Sequence, residues 1–187
     1  QTVPAKLKYE DTDLAIAFLG RPNVGKSSIF NALAKKQQAV VADVAGTTRD
    51  TNSIRIKHFG KNIELLDTAG IRKPGKIEQG LEKFSVIKSL RAIQQADVCI
   101  VLIDVKELAT GMDQRIIGMV KDANRGLIIA VSKWDTFEDK DAFSADYIAG
   151  KLQAELQFVP WAPLIFTSSK EDKNLNKIIE LSLNVQT

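Results

Sequence analysis

The segment Gly20-Arg21-Pro22-Asn23-Val24-Gly25-Lys26-Ser27 fits the pattern GxxxxGK(S/T). Its glycines let the backbone turn so tightly that successive N–H groups point inward and enclose phosphate oxygens. A helix that follows at once, here beginning with Ser27 and Ser28, adds its positive N-terminal end. In such a site Lys26 spans the β- and γ-phosphates and the Ser27 hydroxyl ligates Mg²⁺. The plain alternative is a glycine-rich turn with a chance lysine. An apolar strand pattern directly before the segment and a helical pattern directly after it favour phosphate binding.

Three further segments have chemistry that completes a nucleotide site. In Asp67-Thr68-Ala69-Gly70, an acidic residue at a strand end holds Mg²⁺ through a water, and Gly70 lets a backbone N–H approach the γ-phosphate. Taken alone, that run is an ordinary turn. In Ser132-Lys133-Trp134-Asp135, the carboxylate of Asp135 can accept from N1–H and the exocyclic amine of guanine, a pattern adenine does not offer. The stem of Lys133 can lie across the purine face, whereas a solvated Lys/Asp turn is the bland reading. In Thr167-Ser168-Ser169-Lys170, backbone N–H groups at Ser168, Ser169 and Lys170 can reach the guanine O6. The weight lies in the order of the four segments, each just after an apolar run.

Those runs must position the site. Leu14–Leu19 is a short continuous apolar stretch, as in a strand buried on both faces. Ser27–Lys36 has helical spacing and ends in two lysines suited to a helix C-terminus. Ser53–Phe59 alternates apolar and polar, turns at Gly60-Lys61-Asn62 and resumes at Ile63–Leu66, which predicts an antiparallel hairpin at a sheet edge. Beyond Gly80 the chain alternates regularly. Helices are predicted at Leu81–Gln95, Met112–Ala123, Asp141–Gln157 and Leu175–Leu183, and strands at Ala96–Asp104, Gly126–Val131 and Leu164–Phe166. This is an α/β fold with a mostly parallel sheet of about six strands and helices on both faces. Ligands of such sheets sit at the carboxyl ends of the strands, where all four segments lie.

Composition narrows the field without naming a partner. With 26 Lys+Arg against 23 Asp+Glu, the net charge of +3 is too small to imply nucleic acid or membrane binding. One cysteine, Cys99, excludes a disulfide framework and a cysteine metal cluster, which suits a reducing, cytoplasmic setting. A single histidine, His58, argues against a histidine metal site or a Ser-His triad. No apolar run approaches the length of a bilayer span, so no membrane partner is expected. The chain opens on Gln1 rather than Met, as expected of a piece of a longer protein. Residues 1–13 read as a linker or tail and residues 14–187 as one domain, a monomer in isolation.

GRPNVGKSS, GTTRD, DTAG, a variant of NKxD and a final SxK make the chain resemble the P-loop GTPases related to translation factors. The stretch Asp67–Ala96, with FVPWAPLIFTSS downstream, is similar to the second GTPase domain of the Der (EngA) family of bacterial ribosome assembly. The resemblance runs from about Leu14 to the C-terminus. It implies a GTP/GDP-binding, Mg²⁺-dependent GTPase domain, with a neighbouring GTPase domain and a KH-like domain in the full-length protein. It also implies contact with the large ribosomal subunit or its rRNA. It assigns the nucleotide site to residues 20–28, 67–71, 132, 133, 135 and 168–170, and the catalytic parts to Lys26, Thr48, Gly70 and Asn23. Thr48 matches the switch threonine that joins Ser27 and Asp67 around Mg²⁺. Asn23 matches an asparagine of potassium-activated members, the alternative being a side chain that only stabilises its loop.

Two positions depart from common GTPase patterns. Ile71 stands where Ras-type enzymes have a water-orienting glutamine, a hydrophobic replacement that Der-like relatives share, so slow intrinsic hydrolysis is expected. A guanine-binding docking module with negligible hydrolysis is the competing reading, and an ATPase is disfavoured by Asp135. Ser132 stands where NKxD has an asparagine that contacts the base and ties its loop to the phosphate loop. Cys99 and His58 are read as structural, Trp134 as half-exposed packing, and Trp161 as a pin for the loop before the last strand. Arg72, Lys73 and Lys76 are read as a solvated basic run. Ser132→Asn is expected to hold GDP about fivefold more tightly, one neutral hydrogen bond being worth about 1 kcal/mol. Titration calorimetry checks this, and unchanged affinity refutes it.

Overall fold

A computed structural model of the chain describes residues 11–36, 40–41, 52–67, 86–138 and 140–186. Thr48, Thr68, Ala69, Gly70, Ile71 and the basic run at Arg72–Lys76 lie outside the described residues. In chain order the elements are β1 (Leu14–Leu19), α1 (Lys26–Lys36), β2 (Val40–Val41), β3 (Asn52–His58) and β4 (Lys61–Asp67). Then follow α2 (Val86–Gln95), β5 (Val98–Asp104), α3 (Gly111–Asp122), β6 (Gly126–Ser132), α4 (Ser144–Glu155), β7 (Leu164–Phe166) and α5 (Leu175–Gln186).

The strands form one sheet in the order β2-β3-β4-β1-β5-β6-β7. β4, β1, β5, β6 and β7 run parallel, and β3 is antiparallel to both β2 and β4. The six expected strands are all present, and the two-residue β2 is added at the edge. Such a short strand has no periodicity to read.

Alternation along the central strands sends side chains to two cores. Ala17 and Leu19 of β1 join Cys99, Val101 and Ile103 of β5 on the face covered by α2, α3 and α4. Ile16 and Phe18 join Ile100 and Leu102 on the other face, under α1 and α5. Cys99 is thus a core residue of β5, as expected. Ahead of β1, Asp13 accepts a hydrogen bond from the Asn62 N–H (2.7 Å) and Asp11 pairs with Arg55 (3.0 Å). At the other end the Gln186 amide donates to the Asp13 carbonyl (2.9 Å), so α5 closes beside the start of β1.

Several local expectations need correction. The hairpin turns at Phe59-Gly60, one residue earlier than the expected Gly60–Asn62, with His58 opposite Lys61. Both turn residues have positive φ, 48° and 73°, the geometry that matches the twist of two adjacent strands. Phenylalanine is costly there, and alternation alone could not place it. Helix α4 starts at Ser144, not Asp141, because the Asp141 carboxylate accepts from the Phe143 N–H and the Ser144 hydroxyl just ahead of it. Trp134 is buried, stacked on Phe137 and tilted against Phe166, whereas Trp161 is 61% exposed. His58 is buried, with Nε2 3.7 Å from Glu180.

Gly20, just after β1, lies close against Val24 and β5. A Cβ there would lie 2.7 Å from Val24 Cγ2 and 3.0 Å from the Leu102 carbonyl oxygen, and the second of these is backbone that cannot turn aside. Gly20→Ala is therefore expected to cost about 1–3 kcal/mol, the usual penalty of overpacking. The urea midpoint against wild type measures it.

Candidate nucleotide-binding site

β1, β4, β5 and β6 end at the same edge of the sheet, and each is followed by one of the chemically loaded segments or faces one. The loop 20–25 leaves β1 and enters α1 at Lys26. Gly25 has φ 101°, a conformation closed to side chains, and Asn23 has φ 65°. Val24, 1% exposed, packs inward beneath the loop and anchors it to the core under α1. The first turn of α1 carries no acidic residue, so its positive end is not neutralised from within the helix. Lys26 Nζ donates to the carbonyls of Gly20 and Arg21, both at 2.9 Å, which holds its ammonium at the mouth of the loop.

The base-side segment holds the phosphate loop from outside. The Ser132 hydroxyl, 2% exposed, donates to the Val24 carbonyl at 2.6 Å, with the Ile103 carbonyl at 3.3 Å. Serine therefore keeps the tie to the phosphate loop, while its single proton is spent there and not on a base. Lys133 adopts a left-handed conformation (φ 57°, ψ 35°) that brings its ammonium back over the loop. Its Nζ donates to the Asn23 carbonyl (2.7 Å) and to Asp104 Oδ2 (2.9 Å). Burial opposes ionisation of Asp104, yet the Lys106 N–H and the Lys133 ammonium outweigh it and hold the carboxyl below the usual carboxylate range.

Asp135 sits in a single 3₁₀ turn, Trp134–Thr136, immediately after β6. Its Oδ1 accepts from the Ser168 hydroxyl at 2.7 Å, which fixes the carboxylate as an acceptor. Ser168 is itself buried, accepting from the Glu171 N–H and donating its own N–H to the Lys173 carbonyl (3.4 Å). Ser168 thus meets Asp135 through its hydroxyl, while its N–H faces the Lys173 carbonyl. Thr167 joins the two loops, accepting from the Trp134 N–H (3.0 Å) and donating its hydroxyl to the Val131 carbonyl (3.0 Å).

Arg21 differs from what its place in the motif suggests. Its guanidinium turns from the loop toward α3, donating to Asp113 (3.2 Å), the Glu107 carboxylate (2.6 Å) and the Glu107 carbonyl (3.1 Å). Burial pushes the Asp113 carboxyl up, against the opposing pull of the Thr110 N–H and Arg21. Asp104, Glu107 and Asp113 were absent from the sequence-derived site. The one available sign was an acidic residue closing the apolar run Val98–Asp104. Ser27 is the second residue of α1 and Asp67 the last of β4, the strand that pairs with β1, with Ala17 opposite Leu66.

With this geometry in hand, comparison with known proteins is decisive. The profile of the 50S ribosome-binding GTPases matches residues 15–133. The chain belongs to that family. It is 43% identical over 177 residues to GTPase Der of Agathobacter rectalis, covering 95% of this chain and 40% of that protein. GTPase Der of Herpetosiphon aurantiacus is 40% identical over 178 residues, covering 95% and 39%. The chain thus spans about two fifths of the length of the curated relatives it matches. Among solved structures, Era in complex with MgGDPNP and nucleotides 1506–1542 of 16S ribosomal RNA superposes with a TM-score of 0.69 at 25% identity, covering 92% of this chain and 56% of that one. The G domain of the T. maritima FeoB iron transporter shares the fold, with a TM-score of 0.61 at 24% identity over 93% and 99% of the two chains. The matched residues include the loop at 20–26 and the end of β6, while Asp135 and Ser168 lie just beyond them.

The lowered Asp104 carboxyl gives a pH prediction. A group whose folded pKa is depressed contributes stability that is present above its unfolded value and lost as pH falls through the folded one. The stability difference between the wild type and Asp104→Asn is therefore expected to be full above about pH 4 and to shrink below it. Urea midpoints of both proteins across that range provide the check.

Proposed function

We propose that the chain is a guanine-nucleotide switch domain that binds GTP and hydrolyses it to GDP and phosphate. The observation that carries this reading is the loop at 20–26, shaped for phosphate and held by Ser132 and Lys133 from the segment that bears Asp135. Phosphate and base recognition are thereby built as one rigid unit. The α1 N-terminus and the loop N–H groups receive the phosphates, and Lys26 exchanges its two carbonyl partners for phosphate oxygens. Asp135, fixed by Ser168, accepts from N1–H and the 2-amino group of guanine, while the Lys133 stem covers one face of the base.

The Ser27 hydroxyl and the Asp67 carboxylate are hard oxygen donors at one edge of the sheet, the donor chemistry Mg²⁺ takes. Together with Thr48 they would hold it, and the ion would supply neutralisation of charge on the phosphates. Gly70 offers a backbone N–H to the γ-phosphate, and Thr68, Ala69 and Ile71 complete that loop. Ile71 has no group to orient water, so intrinsic hydrolysis is slow. A potassium ion beside Asn23 is the proposed accelerator. Within a longer polypeptide, residues 14–187 form the GTPase unit, and residues 1–13 lead into it. The ribosomal large subunit or its rRNA is the proposed partner, in keeping with the family's description, and the Era neighbour bound to 16S rRNA supports rRNA contact in general. No helix among the described residues is long and apolar enough to cross a membrane, and a cytoplasmic role is proposed.

Base identity and turnover are tested together. Xanthine carries a carbonyl where guanine carries the 2-amino group, so Asp135→Asn is expected to lose guanine nucleotides by about a hundredfold or more and gain xanthine nucleotides. Single-turnover GTP hydrolysis by the wild type should be faster in KCl than in NaCl. ATP competing with GDP as well as GTP does overturns the base assignment. A rate equal to buffer in both salts leaves a docking module that binds nucleotide without turning it over.

A further inference from the structure

We infer that Arg21 is a positioning residue whose side chain sets how firmly the nucleotide is held, acting through the N-terminal cap of α3 and not by touching the nucleotide. This rests on the nucleotide reading above and extends it to a region outside the motifs that carry it.

Residue 21 stands between two parts of the site. Its backbone carbonyl accepts from Lys26 Nζ, so its position sets where the phosphate-binding ammonium rests. Its side chain leaves the loop and reaches the segment between β5 and α3. There Nε donates to Asp113 Oδ1, one terminal nitrogen to the Glu107 carboxylate and the other to the Glu107 carbonyl. All three guanidinium nitrogens are thus engaged on one side, in the fork geometry that arginine offers and lysine does not.

The receiving end is rigid. Asp113 is 0% exposed and is the third residue of α3, where it closes a reciprocal cap with Thr110. Its Oδ2 accepts from the Thr110 N–H at 2.9 Å while the Thr110 hydroxyl accepts from the Asp113 N–H at 3.3 Å. One carboxylate therefore serves both the cap and Arg21. Glu107 is in turn tied to the end of β5, its N–H donating to the Asp104 carbonyl (3.0 Å). Asp104 receives Lys133, whose ammonium returns to the Asn23 carbonyl. The phosphate loop is consequently gripped at residues 21 and 23 by two cations whose counter-charges all lie between residues 104 and 113. Losing the grip at 21 leaves the loop hinged at 23, and its N–H groups no longer stay aligned on the phosphates.

Release of a fluorescent GDP analogue from the whole chain tests this, alongside urea midpoints. Arg21→Ala is expected to speed release about tenfold, and Arg21→Lys to recover only part of that, because a point charge cannot replace the fork. Asp113→Asn keeps an oxygen for the Thr110 N–H but turns an amide toward Arg21. It should speed release similarly and add little in the Arg21→Ala background. Ile117→Val, an apolar change one turn beyond Asp113 that removes none of these hydrogen bonds, lowers the midpoint and should leave release unchanged. The inference is overturned if Arg21→Ala and Asp113→Asn act additively on release. It is equally overturned if Ile117→Val also speeds release and all three variants show one common relation between release and midpoint. If Arg21→Ala does not fold, Arg21→Lys and Asp113→Asn with their double variant carry the same comparison. Failure of the wild type to retain GDP overturns the nucleotide reading, and this inference with it. Retention by the wild type with unchanged release in the variants overturns this inference alone.

Discussion

The constraint on which the site depends is that a loop built to bind anions must hold its shape when no anion is there. Its N–H groups converge, and its carbonyls are left pointing outward in need of donors. Here the donors come from elsewhere in the chain. The Ser132 hydroxyl takes Val24, the Lys133 ammonium takes Asn23, and Lys26 takes Gly20 and Arg21. The first two lie at the end of β6, two strands from β1. Their reach is possible because Gly20 lets the loop lie against the end of β5 without a Cβ. Preorganisation of this kind lowers the ordering cost of binding.

Much of this was legible in the sequence because the determinants are local. The apolar run of β1, the glycine-spaced loop and the helical spacing of α1 occupy adjacent residues, so one reading covers all three. The alternation of buried strands and amphipathic helices beyond Gly80 likewise reports parallel crossovers directly. What escaped was decided by contacts between distant residues. Arg21 reads as part of a phosphate motif until Asp113, 92 residues away, is placed beside it. Trp134 reads as a loop residue until Phe137 and Phe166 enclose it. The hairpin slipped by one position because Phe59 takes a conformation its residue type disfavours.

Ser132 shows how a departure from a family pattern is absorbed. The position has two duties in the resembling proteins, one to the base and one to the phosphate loop. A serine hydroxyl has one proton, and the structure spends it on the loop. Structural coupling is preserved, and in the proposed function base recognition falls to Asp135. On that proposal the Ser168 hydroxyl that holds Asp135 matters correspondingly more, since it aims the proposed acceptor.

The burial of Cys99 at the centre of β5 has a practical side. It is the only cysteine of the chain and is 0% exposed, enclosed between the sheet and the helices on one face. A thiol in that setting reacts slowly with labelling reagents. A cysteine introduced at an exposed position such as Phe59, 82% accessible at the hairpin tip, would therefore be the sole fast-reacting group. The native protein already provides a silent background for attaching one dye or spin label at a chosen place.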